Sequence, residues 1–300
     1  MKHLLKLMDL SEREITEILN TADQLKYEKK NGIKHHILQG KTLGMIFEKS
    51  STRTRVSFEV GMYDLGGTAL FLSSRDLQIG RGEPVQDTAR VLSRYLDGIM
   101  IRTFDQEEVE SLASCGQIPV INGLTDYCHP CQVLADLMTI REHKGSISGH
   151  KLCYIGDGNN MTNSLIVGGI KMGMTVSVAC PKGYTPDAEI MKWAEATGRF
   201  TCTDNVLEAA KDADVLYTDV WASMGQEDEA AMRKEIFKGY QINREVMNVA
   251  AKDAMVLHCL PAHREEEITA EVFEEHAAEI FDEAENRLHA QKAVLVKCLA

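Results

Sequence analysis

Thr42-Leu43-Gly44-Met45-Ile46-Phe47, then Glu48-Lys49-Ser50, then Ser51-Thr52-Arg53-Thr54-Arg55, is the stretch that decides how this chain folds. The first six residues form a short apolar run that reads as a buried strand. Beyond the arginines, Val56, Val60 and Tyr63, with Met62 and Leu65 nearby, recur at helical spacing. The run of hydroxyls and guanidiniums therefore sits at a strand-to-helix turn, the repeating unit of parallel α/β sheets. At such a turn the first helical N–H groups lack intrahelical acceptors and the helix dipole is positive, so backbone and side chains together hold an anion. Two guanidinium groups add planar, two-pronged donors suited to phosphate oxygens. The alternative is a helix cap, Ser51 or Thr52, followed by two solvated arginines.

The same alternation continues outward. Strands are expected at Thr42–Phe47, 68–72, Gly98–Arg102, 120–122, Lys151–Ile155, Thr175–Ala179, Phe200–Thr203, Val215–Thr218 and Met255–His258, with a tenth at Ile280. Helices are expected at 11–29, where Ser11 and Glu14 make a capping box, and at 85–95, 132–144, 163–172, 186–197, 205–210 and 243–249. Residues 283–299 also have helical periodicity, and the acidic segment 265–279 reads as a solvated helix face. Strands separated by helices imply parallel sheets covered on both faces. There are too many strands for one ordinary sheet, so the expected fold is α/β, with two domains that each carry a mostly parallel sheet flanked by helices. The polar, glycine-containing stretch 143–149 is the best boundary.

The chain has 300 residues, 44% of them hydrophobic and 26% charged, within the range of soluble globular proteins. No window approaches the apolar length that spans a bilayer, so no membrane partner is expected. The opening Met1-Lys2-His3-Leu4-Leu5-Lys6 is a poor signal peptide, and a cytoplasmic location is expected. A net charge of −12 argues against nucleic acid as a partner, because a phosphate backbone calls for a basic surface. It also makes clustered arginines more telling, since a small anion then needs a local basic pocket. Eight cysteines are scattered along the chain, as in a reduced cytosolic protein. Cys128-His129-Pro130-Cys131 resembles a redox dithiol or half a zinc site, yet there is no second C-x-x-C to complete one, so no metal is expected.

Six further positions invite a chemical reading. Gly156-Asp157-Gly158-Asn159-Asn160-Met161 begins like a dinucleotide fingerprint, but Met161 replaces the third glycine and the next strand ends at Ala179-Cys180-Pro181 without a ribose-binding acid. That turn is still able to present Asn160 to a ligand. His129 and Gln132 open a helix through Pro130, where the imidazole either donates to a carbonyl oxygen or caps the helix. Arg102 ends a strand and implies a salt bridge or an anion site. His258-Cys259-Leu260-Pro261 ends another strand and sets a thiol there, either reactive or simply packed. Asp219, with Ser223-Met224-Gly225 after it, suits an ammonium group or is an exposed loop acid; Arg287 reads as a ligand or as a helix-surface ion pair. Nearly all fall at C-terminal strand ends, where open α/β sheets bind ligands.

In that order, Ser51-Thr52-Arg53-Thr54-Arg55, His129-Pro130-Cys131-Gln132, Asp219 with Ser223-Met224-Gly225, and His258-Cys259-Leu260-Pro261 resemble the aspartate/ornithine carbamoyltransferase family over the whole chain. The first two motifs are shared across the family, whereas Ser-Met-Gly and His-Cys-Leu-Pro resemble its ornithine-using branch. The resemblance implies transfer of the carbamoyl group of carbamoyl phosphate to the δ-amine of L-ornithine, giving citrulline and phosphate in arginine metabolism, without a cofactor. Residues 1–140 with 286–300 would bind carbamoyl phosphate, residues 141–285 would bind ornithine, and the active site would lie in the cleft between them. Ser51, Thr52, Arg53 and Thr54 would hold the phosphate, with Gln78 and Arg102 beside them. His129, Pro130, Cys131, Gln132 and Arg102 would bind the carbamoyl group, and Cys259, Leu260 and Arg287 would complete its site. Asn160, Asp219, Ser223 and Met224 would hold ornithine, with Cys259 against its δ-amine; Arg102, His129, Asp219 and Cys259 would be the catalytic set. A homotrimer or a multiple of trimers is implied, with residues 77–83 serving a neighbouring subunit's site. The rival readings are a carbamoyltransferase for another amine, aspartate or putrescine, and a non-catalytic α/β anion-binding module.

Overall fold

The structure is a computed structural model that describes residues 1–78, 82–223, 225 and 227–300. The chain divides into two compact units, Met1–Ala135 with Asn286–Ala300, and Asp136–Glu285. Among the described residues no helix is long and apolar enough to cross a membrane.

In the first unit, β1 (Thr42–Phe47), β2 (Thr68–Ser73), β3 (Gly98–Arg102) and β4 (Val120–Leu124) form a parallel sheet of order β2-β1-β3-β4. Five of the six β1 residues and all of β3 are buried, as central strands of a sheet covered on both faces must be, and β4 at the edge is buried too, bridged at Ile121 by Leu4. Helix α1 (Glu12–Lys30) starts on the expected box: Ser11 accepts from the Glu14 N–H, and the Glu14 carboxylate accepts from the Ser11 N–H. Helix α2 (Thr52–Asp64) follows β1, and α3 (Val85–Leu92) and α4 (Gln106–Cys115) pack Ala89, Val109 and Leu112 against Ile46, Ile99 and Ile101. Helix α4, acidic in its first turn, was not expected. β3 and β4 slip register between Ile101 and Arg102, so that Arg102 lies opposite Leu124 and Gly123 is passed over. A side chain at Gly123 would meet Met100 Sδ at 2.6 Å. The extra residue lies on β4, so the bulge bends that strand beside Arg102.

The second unit carries β5 (Lys151–Ile155), β6 (Thr175–Ala179), β7 (Phe200–Thr203), β8 (Val215–Thr218) and β9 (Met255–His258) in the parallel order β7-β6-β5-β8-β9. Its helices include α6 (Asn160–Lys171), α7 (Ala188–Ala196), α8 (Val206–Ala210), α9 (Ala230–Ile236), α10 (Arg244–Val249) and α11 (Ala270–Glu275), whereas α5 (Pro130–Lys144) and α12 (Ala277–Leu299) contribute residues to both units. Two expectations are corrected. Ile280 belongs to α12, fully buried with Val256, Ile268 and Val272, and is no strand. Segment 265–279 is not one solvated helix face either, because Glu267 is completely buried.

Candidate active site

Each unit carries a cluster of polar side chains at C-terminal strand ends. In the first, Ser51 caps α2 by accepting from the Thr54 N–H at 3.1 Å, which leaves the Thr54 side chain pointing inward, fully buried. Its hydroxyl oxygen accepts from Arg287 Nη2 at 2.9 Å. Arg287 is 4% exposed, so the surface ion pair is excluded for it. Arg102 and His129 are also buried, and Gln132 entirely so, on the first turn of α5. Burial, followed by the charges of Arg287, Arg102 and Arg53, holds the His129 imidazole well below its usual pKa. Three guanidinium charges thus bear on one neutral ring, which then acts as a hydrogen-bonding group and carries no charge of its own.

Arg55 is engaged elsewhere: its Nε donates to Glu59 at 3.0 Å and its guanidinium lies 3.8 Å from the Phe71 ring centre. Gln78 is exposed after β2, its carbonyl accepting from the Glu83 N–H. Cys131 donates to the Asn122 carbonyl and Cys128 to that of Leu5; burial pushes both thiols up to about 12. Protonated thiols tied to carbonyls are poor redox or metal groups.

In the second unit, Asn159 joins two parts of the cluster. Its Oδ1 accepts from the N–H groups of Met161 and Thr162, capping α6, while its Nδ2 donates to Asp219 Oδ2 at 3.1 Å. Helix α6 accordingly starts at Asn160, three residues earlier than expected, with Asn160 on its first turn. Gly158 permits this turn to pack, since a Cβ there would lie 2.2 Å from the Thr185 carbonyl carbon. Asp219 follows β8, is 7% exposed, and accepts at Oδ1 from its neighbour's N–H and from the Cys259 thiol at 3.1 Å. Burial, then the Asp219 and Glu283 charges, raises Cys259 well above an ordinary thiol. It is therefore a neutral donor. Leu260, half-buried beside it, adopts φ 56° before a cis bond to Pro261. Ser223 is half-buried, and Met224 lies outside the described residues.

Glu267, Tyr217, Glu283 and Arg233 support the cluster but gave no signal of this in the sequence. His258 Nδ1 accepts from the Leu260 N–H, so its Nε2 carries the proton and donates to the buried Glu267 at 3.0 Å. The His258 N–H and the Tyr217 hydroxyl both donate to buried Glu283. Arg233, on α9, is 6% exposed and donates to Asp157 at 2.8 Å and to the Trp221 carbonyl at 3.0 Å. Asp219, His258 and Cys259 are close enough to share a cation, but the thiol is protonated and both imidazole nitrogens are already used. In the group His263, Glu266 and Glu267, Glu266 is paired with Lys234 and Glu267 with His258.

Residues 2–142 match the model of the aspartate/ornithine carbamoyltransferase carbamoyl-P binding domain, and residues 148–298 that of its Asp/Orn binding domain. Over 300 residues the chain is 57% identical to an ornithine carbamoyltransferase of Syntrophotalea carbinolica, covering 100% of this chain and 99% of that protein. The structure of ornithine carbamoyltransferase from Pyrococcus furiosus superposes with a TM-score of 0.95 at 53% identity, covering 99% of this chain and 97% of that one. An anabolic ornithine carbamoyltransferase from Campylobacter jejuni gives 0.92 at 45% identity over 98% of both. Buried Arg102, His129 and Arg287 in one unit and an Asn159-Asp219-Cys259 hydrogen-bond relay in the other are thus accompanied by likeness along the whole length, and the chain belongs to the aspartate/ornithine carbamoyltransferase family.

Proposed function

We propose that this chain transfers the carbamoyl group of carbamoyl phosphate to the δ-amine of L-ornithine, forming L-citrulline and phosphate in arginine biosynthesis. The observation that carries the reading is the burial of Arg102, His129 and Arg287 in the first unit, with Arg287 bonded to Thr54 on the first turn of α2. Ser51, Thr52, Arg53 and Thr54 hold the phosphate, joined by Gln78 from the loop after β2. Arg102, His129 and Gln132, with Pro130 and Cys131 shaping the helix start, address the carbamoyl group. As the amine attacks the carbamoyl carbon, negative charge grows on the carbonyl oxygen. Arg102, the neutral His129 N–H and the Thr54 hydroxyl stabilise it, and phosphate departs with its charge balanced by the guanidiniums. Orientation and charge do the work, because the substrate already carries the activated group.

Asn160, Asp219, Ser223 and Met224 hold the amino-acid end of ornithine, Cys259 faces the δ-amine, and Leu260 with Arg287 completes the carbamoyl site. A neutral thiol bonded to Asp219 leaves that amine no thiolate to pair with, which favours the uncharged, nucleophilic form. The protein works in the cytoplasm as a homotrimer or a multiple of trimers, with the segment 77–83, of which 79–81 lie outside the described residues, serving a neighbouring subunit's site. The test is to supply carbamoyl phosphate with ornithine, aspartate or putrescine in turn. Citrulline is expected; carbamoylaspartate without citrulline would overturn the reading.

A further inference from the structure

Cys180 and Cys202 belong to neither cluster. Cys202 lies on β7, the edge strand of the second sheet, and Cys180 immediately follows β6 beside it. Cys202 is opposite Val178, and Cys180 is two residues further on, so the two side chains leave the same face of the sheet. The ladder continues to this point, with the Cys180 N–H donating to the Thr203 carbonyl at 3.1 Å. The two sulfurs are 3.6 Å apart. Of the eight cysteines only Cys202 is exposed, whereas Cys180 is buried. Either thiol can donate across this contact; with burial raising the Cys180 thiol, its S–H is the one that bonds a Cys202 thiolate and favours that form. The accessible sulfur is therefore the one richer in thiolate.

We propose that this pair is an oxidation site for low-molecular-weight disulfides, in which Cys202 is the attacking sulfur and Cys180 resolves the adduct into an intramolecular disulfide. The Cys202 thiolate attacks one sulfur of the small disulfide, forming a mixed disulfide and releasing one thiolate, which takes up a proton. The Cys180 thiol then loses its proton and attacks the Cys202 sulfur, displacing the second small thiol. Two protein thiols give up two electrons, and one small disulfide becomes two thiols. A disulfide needs about 2.05 Å between sulfurs, so the pair closes by a further ~1.5 Å, on an edge strand with a ladder neighbour on one side only. Five of the six other thiols do not compete, the sixth being half-buried Cys115, whose sulfur lies against the Ser114 hydroxyl. Cys128, Cys131, Cys153 and Cys298 are pushed up to about 12 by burial, and Cys259 is held by Asp219.

The experiment incubates the folded, full-length protein with excess oxidised glutathione, alkylates the remaining thiols, digests without reduction and reads the peptides by mass spectrometry. The expected product is the Cys180–Cys202 cross-linked peptide, lost on adding dithiothreitol. C180S is expected to stop at a glutathione adduct on Cys202. C202S is expected to carry no adduct at Cys180 and to consume oxidised glutathione about tenfold more slowly. A wild-type protein that accumulates the Cys202 adduct without cross-linking, a different dominant linkage, or an unreacted Cys202 overturns the proposal.

Discussion

Arg287 and Thr54, separated by 233 positions in the chain, are joined by a hydrogen bond of 2.9 Å from the guanidinium to the hydroxyl oxygen, with both side chains buried. The bond fixes a long, flexible arginine next to the first turn of α2. It also makes Thr54 a relay, since an oxygen that accepts from Arg287 has its own proton left for a substrate oxygen.

Thr54→Val keeps the shape of the side chain and removes both functions. One guanidinium N–H is left buried without its acceptor, which costs about 1–3 kcal/mol. The kcat/KM for carbamoyl phosphate is expected to fall by one to two orders of magnitude, with folding intact by circular dichroism. Unchanged kinetics would remove Thr54 from the proposed phosphate site.

Arg233 and Asp157 form a buried ion pair in the second unit, and the Trp221 carbonyl takes a further bond from the same guanidinium nitrogen. Arg233→Met strands the Asp157 carboxyl, and a loss of about 3 kcal/mol is expected in denaturant unfolding. Adding Asp157→Asn removes the stranded charge, so the double variant is expected to regain part of that loss. Strictly additive losses would show that the pair is not coupled.

The Cys259 thiol is raised well above 9.0 and donates to Asp219 at 3.1 Å. Iodoacetamide, which reacts with thiolates, is therefore expected to label exposed Cys202 well before Cys259 near neutral pH. Cys259→Ser, which keeps a donor to Asp219, is expected to raise the ornithine KM less than Cys259→Ala does. Faster labelling at Cys259 would contradict the protonated thiol.

How much of this was readable beforehand depended on how local each signal is. Lys151–Ile155, Thr175–Ala179 and Val215–Thr218 are apolar runs bounded by turn residues, and each run carries its own evidence for a strand. Ile280 misled because a short apolar run cannot distinguish a buried helix segment from a strand. Helices α4 and α9 were missed for the opposite reason, since their acidic surroundings dilute the apolar periodicity. Motif residues such as Arg102, His129 and Asp219 announced themselves through odd chemistry at strand ends. Their supports did not. Arg233 and Glu267 look like ordinary surface charges until folding brings Asp157 and His258 beside them, and no spacing within the chain encodes those meetings.

His129 offers a test of the electrostatics that is independent of turnover. Its imidazole is held well below 6.5 by burial and by Arg287, Arg102 and Arg53. Above pH 6.5 both folded and unfolded chains carry it neutral, and it contributes no pH dependence. Below that value the unfolded chain takes up a proton that the folded one refuses, so stability falls as the pH drops toward the folded pKa. The slope is about 1.4 kcal/mol per pH unit for one proton. Buried Asp157, Glu108 and Glu283, whose carboxyls are raised by burial, titrate in the opposite sense and complicate any single curve. The comparison of wild type with His129→Gln cancels them. Wild type is expected to lose stability more steeply than the variant between pH 6.5 and the folded pKa, with parallel curves above it. A variant curve parallel to wild type throughout the acid range would mean that His129 is charged in the folded protein, and the guanidinium ring around it would need another explanation.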